Sequence, residues 1–298
     1  MLSSRTQCAG IARRGNYGAF LLEETDQLLE LVSVLTRHLT VPLSVKVRLL
    51  PAATRDESVQ KSLALYEQLV DAGVHMLTIH GRTRFHKGVG TGAADWEAIR
   101  AAVDLLGDRI PILANGSICS RQQADECLRI TAADGVMSSE AVLEYPALFA
   151  PTDMLGGKQR IPRTALATEY LELCKQYHPD DGGQGRGVKC MRAHVHHMLH
   201  ADLQERLDVR QILIDSETLE DLELVVRMVQ EMHDAQENHD SEQEELTWYM
   251  RHRTLVRDES GLTINMAQHR KDKEGFVDSK ELVDDTADCF ACLFDSEY

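Results

Sequence analysis

The chain has no apolar run near the roughly 18 residues that a membrane-spanning helix needs. Its opening stretch, MLSSRTQCAGIARRG, has no apolar core of the kind that a secretory signal carries. Neither membrane insertion nor secretion is therefore expected. Positive charge is scarce: 32 Lys and Arg stand against 48 Asp and Glu, a net charge of −16. Phosphate binding runs on Lys and Arg, so this balance disfavours a protein that holds nucleic acid by bulk charge alone. The shortage is uneven. From Glu237 onward there are 16 acidic and 7 basic residues, a balance of −9, which leaves −7 for the residues before it. A local basic face in that earlier part is compatible with the total.

A disulfide framework is also missing. Seven cysteines, an odd number and widely scattered, fit reduced thiols of the cytoplasm or nucleus. Cys289 and Cys292 form a CxxC without a second pair or nearby histidines, which makes a poor metal site. There is no internal repeat. No strand-like run is followed by GxGxxG, which argues against a dinucleotide-binding sheet.

What is present is an alternation of periods. Leu28, Val32, Leu35 and Leu39 mark one face of a helix, and VPLSVKVRLL follows as a strand-like run. A second helix carries Leu63, Tyr66 and Val70 and ends at Ala72-Gly73. HMLTIHGRT reads as the next strand and loop, and Asp95 caps a helix with Trp96, Ile99, Val103 and Leu106 inward. RIPILANGSI, a helix around Gln122 to Leu128, and DGVMSSEA complete the series. Alternating strands and helices with short connections predict parallel strands and right-handed crossovers. The expected class is α/β: the carboxyl half of a (β/α)8 TIM-type barrel over residues 1–152, then an all-helical domain over 162–236. Beyond a Gly/Pro/Arg linker, LGGKQRIPR, helices are expected around Thr164–Tyr177, Gly187–Ala201 and Thr218–Asp234, the last opened by Thr218 and Asp221 at capping-box spacing. The acidic segment 237–298 loses periodicity and reads as a largely disordered tail.

Polar residues gather where the apolar runs stop. Carboxyl ends of strands are where parallel α/β proteins do their chemistry. Lys46 lies inside an apolar strand, a costly place unless it meets an anion or an electron-rich group. His80 ends the next strand and leads into Gly81-Arg82-Thr83. Asn115-Gly116-Ser117 ends the third, where glycine admits a close backbone approach and free N–H groups suit phosphate. Each has a plain structural alternative; together they make a flavin and phosphate site. Arg48, Arg82 and Arg84 lie at the same mouth, as a solvated rim or as contacts to nucleic-acid phosphate. His194, His197 and His200 share a helical face, more readily a polar surface than a zinc site. Trp248-Tyr249 with Arg251 and Arg253 offers stacking on RNA bases or docking on the domain.

In order, RRGNYGAFLL, VKVRL, LTIHGRTR, GTGAADWEAI, PILANGSI and DGVMSSEAVLEYPALF resemble the tRNA-dihydrouridine synthase family. Within it they are most similar to the eukaryotic branch acting on uridines 16 and 17 of the D-loop. Many other members have Gly-Arg where this chain has Ser139-Glu140. The likeness continues through VKCMRAHVHHMLH and TLEDLELVV to LTWYMRHR. It implies an FMN enzyme that reduces the C5–C6 bond of uridine in tRNA with electrons from NADPH. It assigns Lys46 and His80 to the flavin, and Asn115, Gly116, Ser117, Ser139 and Glu140 to its phosphate. It places the proton-donating cysteine, from an Asn-x-Gly-Cys-Pro loop, at Gln7 and the following proline at Cys8. Cys8 is thus the candidate acid, one residue out of register.

The resemblance further implies that the first four strands precede this segment. Either the chain is amino-terminally truncated or the full-length enzyme has a longer amino end. A truncated chain is expected to bind FMN weakly and to make little dihydrouridine. The competing expectation is an inactive fragment that binds tRNA or a protein partner without turnover. The expected state is a monomer, cytoplasmic or nuclear, with tRNA as its partner and without metal.

Overall fold

The computed structural model describes residues 14–86, 91–150, 160–177 and 186–235, with two short strands at 255–257 and 263–265. The chain divides into two compact units, Met1–Ser138 and Ser139–Tyr298.

The first unit is the α/β part. A 3-10 turn, Gly18–Glu23, leads into helix α1, Thr25–His38, which buries Leu28 and Val32. Strands β1 (Ser44–Arg48), β2 (Met76–His80), β3 (Ile112–Asn115) and β4 (Gly135–Met137) then alternate with helices α2 (Arg55–Asp71), α3 (Trp96–Leu106) and α4 (Arg121–Thr131). The strands form one parallel sheet in the order β1-β2-β3-β4. Among the described residues no further strand joins either edge, so the sheet is half of what an eight-stranded barrel requires.

Each helix begins where a short polar side chain can take an orphan backbone N–H. Thr54 accepts from Glu57 N, Asp95 from Ala98 N and Ser120 from Gln123 N. Gly73, at φ +98°, ends the run of α2 in the left-handed region.

Side chains alternate across a strand, and parallel register carries each face from strand to strand. Val45, Val47, Leu77, Ile79, Ile112 and Ala114 are buried against Tyr66 and Leu69 of α2, Ile99 and Ala102 of α3, and Cys127 of α4. The opposite face is different in kind. Lys46 stands opposite Thr78, Arg48 opposite His80, and His80 opposite Asn115. The burial that makes the sheet therefore also collects the polar residues on its other side.

The second unit contains helices α5 (Glu140–Glu144), α6 (Arg163–Gln176), α7 (Arg186–Met198), α8 (His200–Glu205), α9 (Leu207–Asp215) and α10 (Leu219–Ala235). Tyr145 Oη accepts from Ile161 N at 2.9 Å, and Arg163 pairs with Glu144 at 3.3 Å with both side chains buried. These ties join the residues on both sides of 151–159 into one unit. The single helix expected over 187–201 is interrupted at Leu199, whose φ of −102° and ψ of 19° start α8 anew. Helix α9 had no counterpart in the sequence reading, since only Val209 and Leu213 of its residues are buried. The capping box is formed as its spacing predicts: Asp221 N donates to Thr218 Oγ1 at 3.2 Å, and Thr218 N to Asp221 Oδ2 at 2.9 Å.

In the acidic carboxyl segment, β5 (Leu255–Arg257) and β6 (Thr263–Asn265) pair antiparallel. No described helix is long and apolar enough to cross a membrane. The described cysteines Cys119, Cys127, Cys174 and Cys190 are free.

Candidate functional site

The polar face of the sheet is cationic. Lys46 projects from the middle of β1 and makes no ion pair or hydrogen bond with any described residue. Burial and then the charge of Arg48 draw its pKa from 10.5 down to about 8, so it remains mostly protonated at neutral pH. Arg48, at the strand's end, donates to Thr83 O at 3.1 Å, and its own carbonyl accepts from the buried Tyr66 hydroxyl at 2.9 Å. Burial lowers the Arg48 pKa as well.

His80 closes β2. Burial first, then the charges of Arg48, Lys46, Arg82 and His86, hold its pKa down at about 2. The imidazole is therefore neutral under physiological conditions. Its Nε2 lies 3.1 Å from Arg82 NH1, while its Nδ1 is buried without a hydrogen-bond partner among the described residues.

The loop after β2 is held by groups far apart in sequence. Gly81 N donates to Asn115 O at 3.2 Å, and Asp95 N donates to Gly81 O at 2.7 Å. A Cβ on Gly81 would lie 2.8 Å from Asp95 O, so only glycine admits this approach. Asn115 Nδ2 donates to Met137 O at 2.7 Å, linking the ends of β3 and β4. Gly116, at φ +106°, packs so closely that a Cβ would meet the His80 ring at 2.9 Å. Its carbonyl accepts from the Trp96 indole at 3.0 Å. Ser117 Oγ accepts from Ala94 N at 2.7 Å and from Arg82 NH2 at 3.1 Å.

The three arginines expected at one open mouth occupy unlike surroundings. Arg48 is half-buried and points along the loop to Thr83. Arg82 is only 5% exposed, and its fork is engaged by Gly92 O, Ser117 Oγ and His80 Nε2. A solvated rim is thus not where Arg82 lies, because its donors are turned inward to fasten the loop. Arg84 pairs with the Glu23 carboxylate and stacks over Phe20 at 4.8 Å and Phe85 at 4.4 Å.

The sheet brings Lys46, Arg48, His80 and Asn115 together, with Gly116 and Ser117 beside them. Ser139 and Glu140 are exposed and open the second unit at the start of α5. Cys8, Trp248, Tyr249, Arg251, Arg253, Cys289 and Cys292 lie outside the described residues. In the second unit, Tyr170 Oη and His194 Nδ1 are 2.7 Å apart, and His233 pairs with Asp202 at 2.6 Å. Among the described residues no group of three His, Cys, Asp or Glu side chains converges on a metal position. His86, Tyr66 and Trp96 also belong to this site, and the sequence does not mark them as such. The two aromatics carry the same periodic signal as any core residue, and a loop histidine carries none.

The profile for dihydrouridine synthase (Dus) matches residues 9–237. A rat protein named tRNA-dihydrouridine(16/17) synthase NAD(P)(+)-like is 37% identical over 211 residues, which are 70% of this chain and 43% of the relative. The tRNA-dihydrouridine(16/17) synthase NAD(P)(+) of Saccharomyces cerevisiae is 32% identical over 205 residues, 68% of this chain and 46% of the relative. A probable tRNA-dihydrouridine synthase 1 of Synechocystis is 34% identical over 192 residues, 62% of this chain and 50% of the relative. The chain spans about half the length of these relatives.

Proposed function

The chain belongs to the dihydrouridine synthase family, and on that premise we propose that it reduces the C5–C6 bond of uridines 16 and 17 in the D-loop of tRNA, with FMN as cofactor and NADPH as electron source. The observation that carries this reading is the cationic sheet face itself. Lys46 lacks a carboxylate partner among the described residues, and the neutral His80 has a buried Nδ1 to which none of them bonds. Such a face suits an electron-rich, acceptor-bearing group, which the pyrimidine edge of a flavin is.

When bound, the flavin supplies the hydride that goes to C6. Lys46 would hold an electron-rich group on this face by charge, and His80 would orient it by donating a hydrogen bond without adding charge. The turn at Asn115, Gly116 and Ser117 is proposed to hold the phosphate. Proton delivery to C5 needs an acid opposite the hydride, within hydrogen-bond reach of the carbon. Cys8 is the candidate for it. Arg48 and Arg84 are proposed contacts for tRNA phosphate, while Arg82 acts inside the loop. The protein is proposed to work as a monomer in the cytoplasm or nucleus.

The test is to incubate the chain with FMN, NADPH and unmodified tRNA and to count dihydrouridine at positions 16 and 17 by mass spectrometry. Little turnover by this chain, and turnover at those positions by a form extended to the eight strands of the barrel that is lost in Lys46→Ala and His80→Ala, is the expected result. Loss in Cys8→Ala identifies the acid. tRNA binding without dihydrouridine from either form favours the competing reading, a binding protein without turnover.

A further inference from the structure

We infer that Arg82 is a positioning residue: its guanidinium holds His80 in the Nδ1–H tautomer, so that the ring offers the bound group a donor and not an acceptor. The inference rests on the flavin reading of the site and adds to it a chemical requirement on what the site accepts.

A guanidinium has five N–H donors and no acceptor. The 3.1 Å contact between Arg82 NH1 and His80 Nε2 therefore needs a lone pair on Nε2. His80 is neutral, since burial and four surrounding cationic or titratable groups (Arg48, Lys46, Arg82 and His86) disfavour its charged form. A neutral imidazole with a lone pair on Nε2 carries its proton on Nδ1. That Nδ1 is buried and has no partner among the described residues. A buried donor left unbonded is unfavourable, and an acceptor on a bound group would relieve that cost.

The fork is not free to move away. Gly92 O accepts from Arg82 Nε at 3.1 Å and from NH2 at 2.7 Å, and Ser117 Oγ accepts from NH2 at 3.1 Å. Ser117 is itself held by Ala94 N at 2.7 Å. A half-turn of the imidazole would place a carbon against Arg82 and break the contact. Gly116 is packed against the same ring edge, where even a methyl group would come to 2.9 Å. Arg82 thus serves the site without touching the cofactor. Lysine could not replace it, since one ammonium cannot span Gly92, Ser117 and His80 as a planar fork does.

The experiment reads the tautomer directly, without flavin. In the full chain with 15N-labelled histidine, long-range proton–nitrogen correlations distinguish a protonated ring nitrogen from one with a lone pair, and His80→Asn assigns the signal. The expected result is a protonated Nδ1 and a lone pair on Nε2 from pH 6 to 8. A protonated Nε2, or both nitrogens protonated, overturns the inference whatever the variants do. In Arg82→Lys and Ser117→Ala the His80 signal is expected to shift toward the Nε2–H form. FMN affinity, read by flavin fluorescence, should fall about tenfold in Arg82→Lys, the size of one lost hydrogen bond. In a His80→Ala background the same change should have no further effect. An equal fall in that background shows a merely structural Arg82 and overturns the inference. If the tautomer is Nδ1–H and no flavin binds, the positioning stands and the cofactor reading fails. If flavin binds to an Nε2–H ring, the reverse holds.

Discussion

Lys46 is flanked in β1 by Val45 and Val47, both buried in the core, while its own side chain leaves on the other face. Its pKa near 8 lies below the ordinary 10.5, so the unfolded chain binds more protons than the folded one between those values. Stability should therefore rise with pH across that window, and Lys46→Met should remove this rise. Urea midpoints of the two proteins at pH 7 and pH 10 measure it. Binding runs the other way. An electron-rich ligand favours the charged amine, so FMN affinity should fall as pH rises above about 8. In Lys46→Met the affinity should be weaker by about tenfold, as for a lost charge-assisted contact, and flat over the same range.

At the scale of elements, Asp95 joins the start of α3 to α2 and to the loop after β2. Its carboxylate accepts from Ala98 N at 2.9 Å and takes the Arg55 fork at 2.7 and 2.9 Å, and its backbone N–H donates to Gly81 O. Burial opposes ionisation of Asp95, but these hydrogen bonds, with the charge of Arg55, keep its pKa below the ordinary value. The sign is that of a depressed acid: the contribution is present above the ordinary carboxylate pKa of about 4 and is lost as pH falls through the lower folded value. Asp95→Ala should cost about 1–2 kcal/mol at pH 7, the usual worth of an N-cap. Asp95→Asn keeps a capping oxygen and should cost less. Thermal melts at pH 7 and pH 3 should show the alanine penalty shrinking in acid.

The molecule as a whole has two units, and a buried ion pair belongs to the second alone. Glu144 and Arg163 are almost wholly removed from solvent and meet at 3.3 Å. Removing one partner of such a buried pair costs about 3–5 kcal/mol. Glu144→Gln should lower protection from amide hydrogen exchange in α6, α7 and α10. Protection in β1 to β4 should be unchanged. Equal loss in both units would show that they unfold together. The same division bears on charge. The net −16 describes the whole chain, yet the face with Lys46, Arg48 and His80 is positive, because registry gathers cations that the total conceals.

The alternation of periods and the strand ends are legible in the sequence, because burial of apolar side chains follows the local repeat of the backbone. Val45 and Val47 turn to the core and Lys46 turns away from it for that reason alone. The caps at Asp95 and Thr218 were legible too, since a cap and its N–H lie within one helical turn. Other features depended on tertiary structure. Arg82 reads as a surface cation until the turn after β2 and the Ser117 hydroxyl close around it. The joining of Glu144 to Arg163, and of Asp95 to the glycine loop, required separate segments to meet at hydrogen-bond distance. Apolar burial is non-directional and averages over a helix or strand, so a one-dimensional pattern encodes it. A buried polar contact demands a particular atom at about 3 Å and a fixed angle, and only the folded chain supplies that.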